Sequence, residues 1–101
     1  MPAKKTKASP VKKDEGILYD FYGTECPHCK EMDPLIDRLE KEEKVKITKM
    51  EVWHNSNNQQ LFEQVDNGKC GGVPFFYNTK TKKWLCGSCD YSTFKKWALG
   101  K

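Results

Sequence analysis

Gly16-Ile17-Leu18-Tyr19-Asp20-Phe21-Tyr22-Gly23 is followed two residues later by Cys26-Pro27-His28-Cys29, and this stretch decides the fold. Residues 16–23 form an apolar run with one acid, Asp20, and predict a buried strand carrying one buried carboxylate. Behind Cys29 the pattern turns helical. Met32, Leu35, Ile36 and Leu39 recur at helix spacing with charges between them, which predicts a helix over 27–43. Pro34 inside it predicts a kink. The chain thus carries two thiols from a strand end to the start of a helix. Backbone N–H groups and the helix dipole favour negative charge there, so a thiol ionises more readily than in a free cysteine. The thiolate is the form that attacks disulfides. The placement implies redox chemistry, with Cys26 the exposed nucleophile and Cys29, one turn in, the buried resolving thiol. Taken alone, C-x-x-C also serves as half of a zinc site.

Working outward, residues 44–53 alternate apolar and polar side chains and predict a second strand with one buried face. His54-Asn55-Ser56-Asn57-Asn58 is a turn and helix cap, and 59–65 a short helix with Leu61, Phe62 and Val65 inward. A loop, Asp66 to Gly72, leads to a strand over 73–78 that opens on Val73-Pro74. A turn at 78–82 returns the chain along 83–86 as a hairpin. Asp90 or Ser92 caps a last helix running through Leu99. The order is β-α-β-α-β-β-α. A helical crossover makes the first two strands parallel, and the hairpin makes the last two antiparallel. The expected architecture is α/β, a mixed four-stranded sheet flanked by helices.

At 101 residues the chain holds one domain, expected over 16–101. The formal charge of +4 is not a property of that domain. Residues 1–13 carry five lysines and no acid, so the rest of the chain sums to −1. Residues 1–15 read as a disordered Lys-rich tail: a solubilising arm, a nuclear address or a weak nucleic-acid contact. Ser9 before Pro10 fits a phosphorylation site. No stretch is long enough to span a bilayer and no signal-peptide region follows Met1, so a soluble cytoplasmic protein, monomeric and without membrane contact, is expected. The nucleus and an organelle stroma stay open. Five cysteines in such a chain argue against a structural disulfide framework. Four form two C-x-x-C pairs, Cys26/Cys29 and Cys86/Cys89, and Cys70 is left over.

The ensemble resembles the thioredoxin family over nearly all of residues 16–101. Asp20-Phe21 stands where thioredoxins place a buried acid and an aromatic. Lys30 follows the second cysteine and Pro34 lies five residues after it. Val73-Pro74, preceded by glycine, is similar to the family's cis-proline, and Gly87 to a glycine of its substrate groove. In length the chain is nearer the minimal, glutaredoxin-like version of the fold. Three departures stand out. Pro27-His28 replaces the usual Gly-Pro and resembles periplasmic disulfide oxidases. Glu25 stands where thioredoxins usually have tryptophan. Cys86-Gly87-Ser88-Cys89 has no counterpart.

The resemblance implies a small thiol–disulfide oxidoreductase whose Cys26/Cys29 dithiol exchanges protein disulfides, with no cofactor beyond that redox-active pair and no metal. It implies recycling by a thioredoxin reductase or a glutathione-type system. Pro27 and His28 belong to the catalytic motif, and His28 is expected to stabilise the Cys26 thiolate and make the bound disulfide more oxidising than a thioredoxin's. Asp20 is expected to relay the proton of Cys29 and to pair with Lys49 on the neighbouring strand. Val73, Pro74 and Gly87 are the expected substrate-binding residues, with a peptide adding as an extra strand at Val73. Trp53 and His54 lie on the same rim, Trp53 in a packing role. Cys86 and Cys89 emerge at the active-site end of the sheet, ~10 Å from Cys26. They read as a possible second dithiol, as a zinc site alone or with Cys70, or as inert small residues. The alternative function is therefore a thioredoxin-fold metal-binding or interaction module that uses Cys86/Cys89 without redox turnover.

Overall fold

Alternation along the first strand splits the core in two. In the computed structural model, which describes residues 17–100, strand β1 (Leu18–Tyr22) sends Leu18 and Asp20 to one face of a sheet and Phe21 to the other. The Lys-rich tail, with the disorder and nucleic-acid contact expected of it, lies outside the described residues. Helix α1 (Pro27–Glu43) follows β1 and crosses to β2 (Ile47–Glu51). Helix α2 (Ser56–Asp66) leads to the hairpin β3 (Phe75–Asn78) and β4 (Trp84–Cys86), and α3 (Tyr91–Leu99) closes the chain. The sheet order is β2-β1-β3-β4, with β1 parallel to β2 and antiparallel to β3, and β3 antiparallel to β4.

Leu18, Ile47 and Phe76 meet Met32, Ile36 and Leu39 of α1 and Phe94, Trp97 and Ala98 of α3. On the opposite face Phe21, Phe75 and Val52 meet Leu61, Phe62 and Val65 of α2. Each layer buries apolar area that no single element could hide alone. The element order and the mixed four-stranded sheet are those expected from the sequence. None of the helices described is long and apolar enough to cross a membrane.

Boundaries moved where caps won over periodicity. The second strand starts at Ile47 rather than Lys44, because Lys44 takes the left-handed conformation (φ 57°) that ends α1. Glu40 then accepts the Ile47 N–H at 2.9 Å. Helix α2 starts at Ser56 rather than Gln59, because the Asn55 side chain accepts the Asn58 N–H at 3.0 Å. Asp90 caps α3 in the same way, accepting from Thr93 at 2.8 Å. Helix α1 continues through Pro34, whose missing N–H leaves the Lys30 carbonyl without its intrahelical donor.

Candidate active site

The loop after β1 delivers Cys26 as the N-cap of α1. Its N–H donates to Gly23 O at 3.1 Å, its φ and ψ are −82° and 114°, and its carbonyl accepts the first intrahelical bond from Lys30 N at 3.1 Å. Serine or aspartate usually fills this position and satisfies a free N–H of the first turn. Here the sulfur does so: the Cys29 N–H donates to Cys26 Sγ at 3.2 Å. Pro27 occupies the first helical position, where its missing N–H costs nothing. An anionic sulfur at this place meets the positive end of the helix dipole.

Both cysteines are buried. Cys29 is 5% exposed, as expected, but Cys26 is 4% exposed, which corrects the expectation of an open nucleophile. Capping folds its sulfur back over the first turn and sets it 3.9 Å from the Val73 carbonyl oxygen. That carbonyl belongs to the Val73–Pro74 bond, which is cis. Pro74 is fully buried, and its own carbonyl accepts the Gly87 N–H at 2.8 Å. Gly87 has φ +87°, a conformation that favours glycine, so Val73, Pro74 and Gly87 lie in one hydrogen-bonded patch.

Burial pushes the Cys29 thiol up to about 12, helped by its hydrogen bond with Cys26 and by the charges of Cys26 and Asp20. Asp20 lies on the α1 face of the sheet, 3% exposed, and its carboxylate makes no hydrogen bond among the described residues. Burial raises its carboxyl to about 7; the Lys49 charge pulls it down and Asp33 pushes it up. Lys49 stands beside Asp20 in the β1–β2 register. Its ammonium hydrogen-bonds Asp33 Oδ1 at 3.2 Å on α1, while the Lys49 and Asp20 charges still act on each other, so the expected pair is one of charge and not of a hydrogen bond. His28 turns its Nδ1 to Glu31, 3.3 Å away on the exposed helix surface. No hydrogen bond joins it to Cys26 in the structure; the sulfur takes the Cys29 N–H instead.

One organising residue escaped the sequence. Glu51, the last residue of β2, accepts from Thr24 N and Thr24 Oγ1, both at 3.1 Å, and from Trp53 N at 3.2 Å and His54 N at 2.8 Å. It ties the loop before Cys26 to the loop after β2. The two loops meet again where His54 Nε2 approaches Glu25 Oε1 at 2.7 Å. Trp53, 49% exposed, lays its indole against Gly23 so closely that no Cβ would fit there. The packing role expected of Trp53 therefore has a partner in Gly23, while about half of the residue stays exposed. Gly23 at the end of an otherwise bulky strand was the only signal of this contact.

The second C-x-x-C pair is not a dithiol. Cys86 is bonded to Cys70, with their Cα atoms 5.5 Å apart, and Cys89 is a free thiol packed against the Leu18–Phe76 core layer. Burial and the Asp90 charge push that thiol up. Cys86 ends β4, and the turn at Gly87 sends Cys89 inward, away from it. The absence of a structural disulfide was likewise expected and is corrected by the Cys70–Cys86 bond. The bond also removes those two sulfurs from any zinc site built on Cys86 and Cys89. Among the described residues no cluster of three or more His, Cys, Asp and Glu side chains is placed to hold a metal ion.

A four-stranded β2-β1-β3-β4 sheet, with α1 and α3 on one face and α2 on the other and a C-x-x-C pair capping α1, defines a thioredoxin-like class of α/β protein. The family model described as thioredoxin matches residues 3–85, and the chain belongs to that family. Among solved structures it is similar to a glutaredoxin from Archaeoglobus fulgidus, with a TM-score of 0.60 and 18% identity over 81% of this chain and 85% of that one. That likeness is one of fold. No curated protein matches the chain.

Proposed function

We propose that the protein is a thiol–disulfide oxidoreductase that acts on protein disulfides through Cys26 and Cys29. The observation that carries this reading is the Cys26 sulfur in the N-cap position of α1, receiving the Cys29 N–H. The sulfur thus sits at the N-terminal end of the helix, one turn from Cys29, where a mixed disulfide formed on it lies within reach of the second thiol.

The Cys26 thiolate attacks one sulfur of a substrate disulfide. The S–S bond breaks, one substrate thiolate leaves and takes a proton, and a mixed disulfide with Cys26 remains. Cys29 must then lose its proton, which its burial opposes. Asp20, buried under the same helix and titrating near neutrality at about 7, is the group suited to accept it. The Cys29 thiolate attacks Cys26 Sγ and displaces the second substrate thiolate. Two electrons have passed to the substrate, and Cys26–Cys29 is left as a disulfide. A dithiol or flavoprotein reductase, or glutathione, returns it to the dithiol.

Substrates are extended segments that pair with the Val73 backbone beside the sulfur. The cytoplasm is the proposed location. Reduction of a protein disulfide such as insulin's tests the reading. Wild type should reduce it catalytically with dithiothreitol as electron source and Cys26→Ser should not. A Cys26→Ser variant as active as wild type rejects the mechanism.

A further inference from the structure

The Cys70–Cys86 bond lies at the same end of the sheet as Cys26. Cys86 stands opposite Phe75 in the β3–β4 register, and Phe75 stands opposite Phe21 of β1. Cys70 sits in the loop between α2 and the Val73–Pro74 segment. That loop is wound on the buried carboxylate of Asp66, which accepts the N–H groups of Cys70 at 2.6 Å and Gly71 at 3.1 Å. Three residues on, the Val73 carbonyl faces the Cys26 sulfur at 3.9 Å.

The bridge is therefore a covalent strap across the segment where a substrate peptide would pair. Strand pairing of β3 with β4 and the Gly87–Pro74 hydrogen bond hold the hairpin without it. What the strap alone holds is the loop against the end of β4. Its two sulfurs differ in reach: Cys86 is an exposed residue on an edge strand, and Cys70 is half-buried against the Phe21–Phe75 layer. Thiol–disulfide exchange begins at the more accessible side of a bridge, and Cys86 is the more exposed of the two residues.

We propose that Cys70–Cys86 is a second thiol–disulfide centre, which takes a small thiol reductant at Cys86 and sets how firmly the Val73 segment docks substrate. It rests on the oxidoreductase reading of Cys26 and Cys29. A dithiol attacks Cys86 Sγ as its thiolate. The Cys70–Cys86 bond breaks, and Cys70 leaves as a thiolate and takes a proton. The reductant's second thiolate then attacks the mixed disulfide and releases Cys86, which is protonated in turn. The reductant departs as a disulfide, and two electrons have entered the strap. The loop before Val73 then keeps its Asp66 hydrogen bonds and its packing on the Phe21–Phe75 layer but loses its covalent tie to the end of β4, and the Val73 carbonyl is held less firmly beside Cys26. Docking weakens while chemistry at Cys26 is unchanged, so KM rises and kcat does not.

Two measurements test this. In the Cys26→Ser/Cys29→Ser variant, equilibrated across ratios of reduced to oxidised dithiothreitol and then alkylated, Cys70 and Cys86 should become labelled together in one transition while far-UV circular dichroism stays native. A bridge that opens only on unfolding overturns the proposal. In otherwise wild-type protein, Cys70→Ser/Cys86→Ser should raise KM for a peptide disulfide threefold or more with kcat unchanged. An unchanged KM overturns it, and so does a double variant that cannot fold, because the reduced state must be a folded one. Failure of the oxidoreductase reading looks different: wild type itself would reduce no disulfide in any buffer.

Discussion

The Cys29 backbone N–H donates to the Sγ of Cys26 at 3.2 Å, so the first cysteine of the motif caps the helix that contains the second. The two residues then differ in what substitution does. Serine at Cys26 keeps a capping oxygen and removes the nucleophile. Cys26→Ser should fold with near-wild-type stability and form no adduct with a peptide disulfide. Cys29→Ser should accumulate the mixed disulfide at Cys26, because nothing resolves it. Intact-protein mass spectrometry after mixing with the peptide reads both outcomes, and an adduct on Cys26→Ser contradicts the assignment.

Asp20 makes stability depend on pH in an unusual direction. Its folded-state value of about 7 lies above the ordinary 3.8, so the folded protein holds a proton that the unfolded chain has lost. Stability should fall as pH rises from about 4 to about 7 and then level off. Asp20→Asn removes that loss. At pH 8 the variant should be more stable than wild type by up to a few kcal/mol, at ~1.4 kcal/mol per pK unit, and the gap should close near pH 4. The same variant should resolve mixed disulfides more slowly. Melting temperatures at the two pH values, with single-turnover kinetics, check both; a constant gap across pH rules out the raised carboxyl.

Gly23 has no room for a side chain because the Trp53 indole lies on it. Gly23→Ala should cost ~1–3 kcal/mol, the usual cost of overpacking. Most of that cost should vanish when Trp53→Ala is present, giving a coupling that a double-mutant cycle in urea measures. Additive effects would mean that the ring moves aside freely.

Glu51 loses solvent at the end of β2, which pushes its carboxyl up, but the N–H groups of His54, Thr24 and Trp53 outweigh this and hold it below the usual range. Its contribution is thus present above pH ~4.5 and lost as pH falls through the lowered folded value. Glu51→Ala frees the Thr24 and His54 loops from each other. Cys26 should then react faster with iodoacetamide at neutral pH, since the rim beside it opens. An unchanged rate would place the rim's order elsewhere.

His54 is held above its ordinary 6.5 by hydrogen bonding to Glu25 and by that residue's charge. The pairing is fully present below the ordinary value and is lost as pH rises through the folded one. Glu25→Gln should bring the His54 titration, followed by NMR of the ring protons, back down toward 6.5. No downward movement would show that Glu25 does not make the pair in solution.

Much of this protein is determined by short-range pattern. An apolar run with one acid, a C-x-x-C pair and a 3.6-residue repeat dictate β1, α1 and the burial of Asp20, because each depends only on neighbours in the chain. The element order follows for the same reason, since right-handed crossovers and a tight hairpin leave few alternatives. Long-range geometry decided the rest. Cys86 sits three residues from Cys89, yet bonds Cys70, sixteen residues away, because Asp66 winds its loop toward the end of β4 and Gly87 turns Cys89 inward. Lys49 passes its register neighbour Asp20 to reach Asp33, and Cys26 is hidden by the cap that it makes itself. Glu51 gathers two loops that adjoin only once β1 and β2 are side by side. The Cys26 cap is local, made with Cys29 three residues on; in the other cases the partner is brought in by a turn or a neighbouring strand that no local pattern encodes.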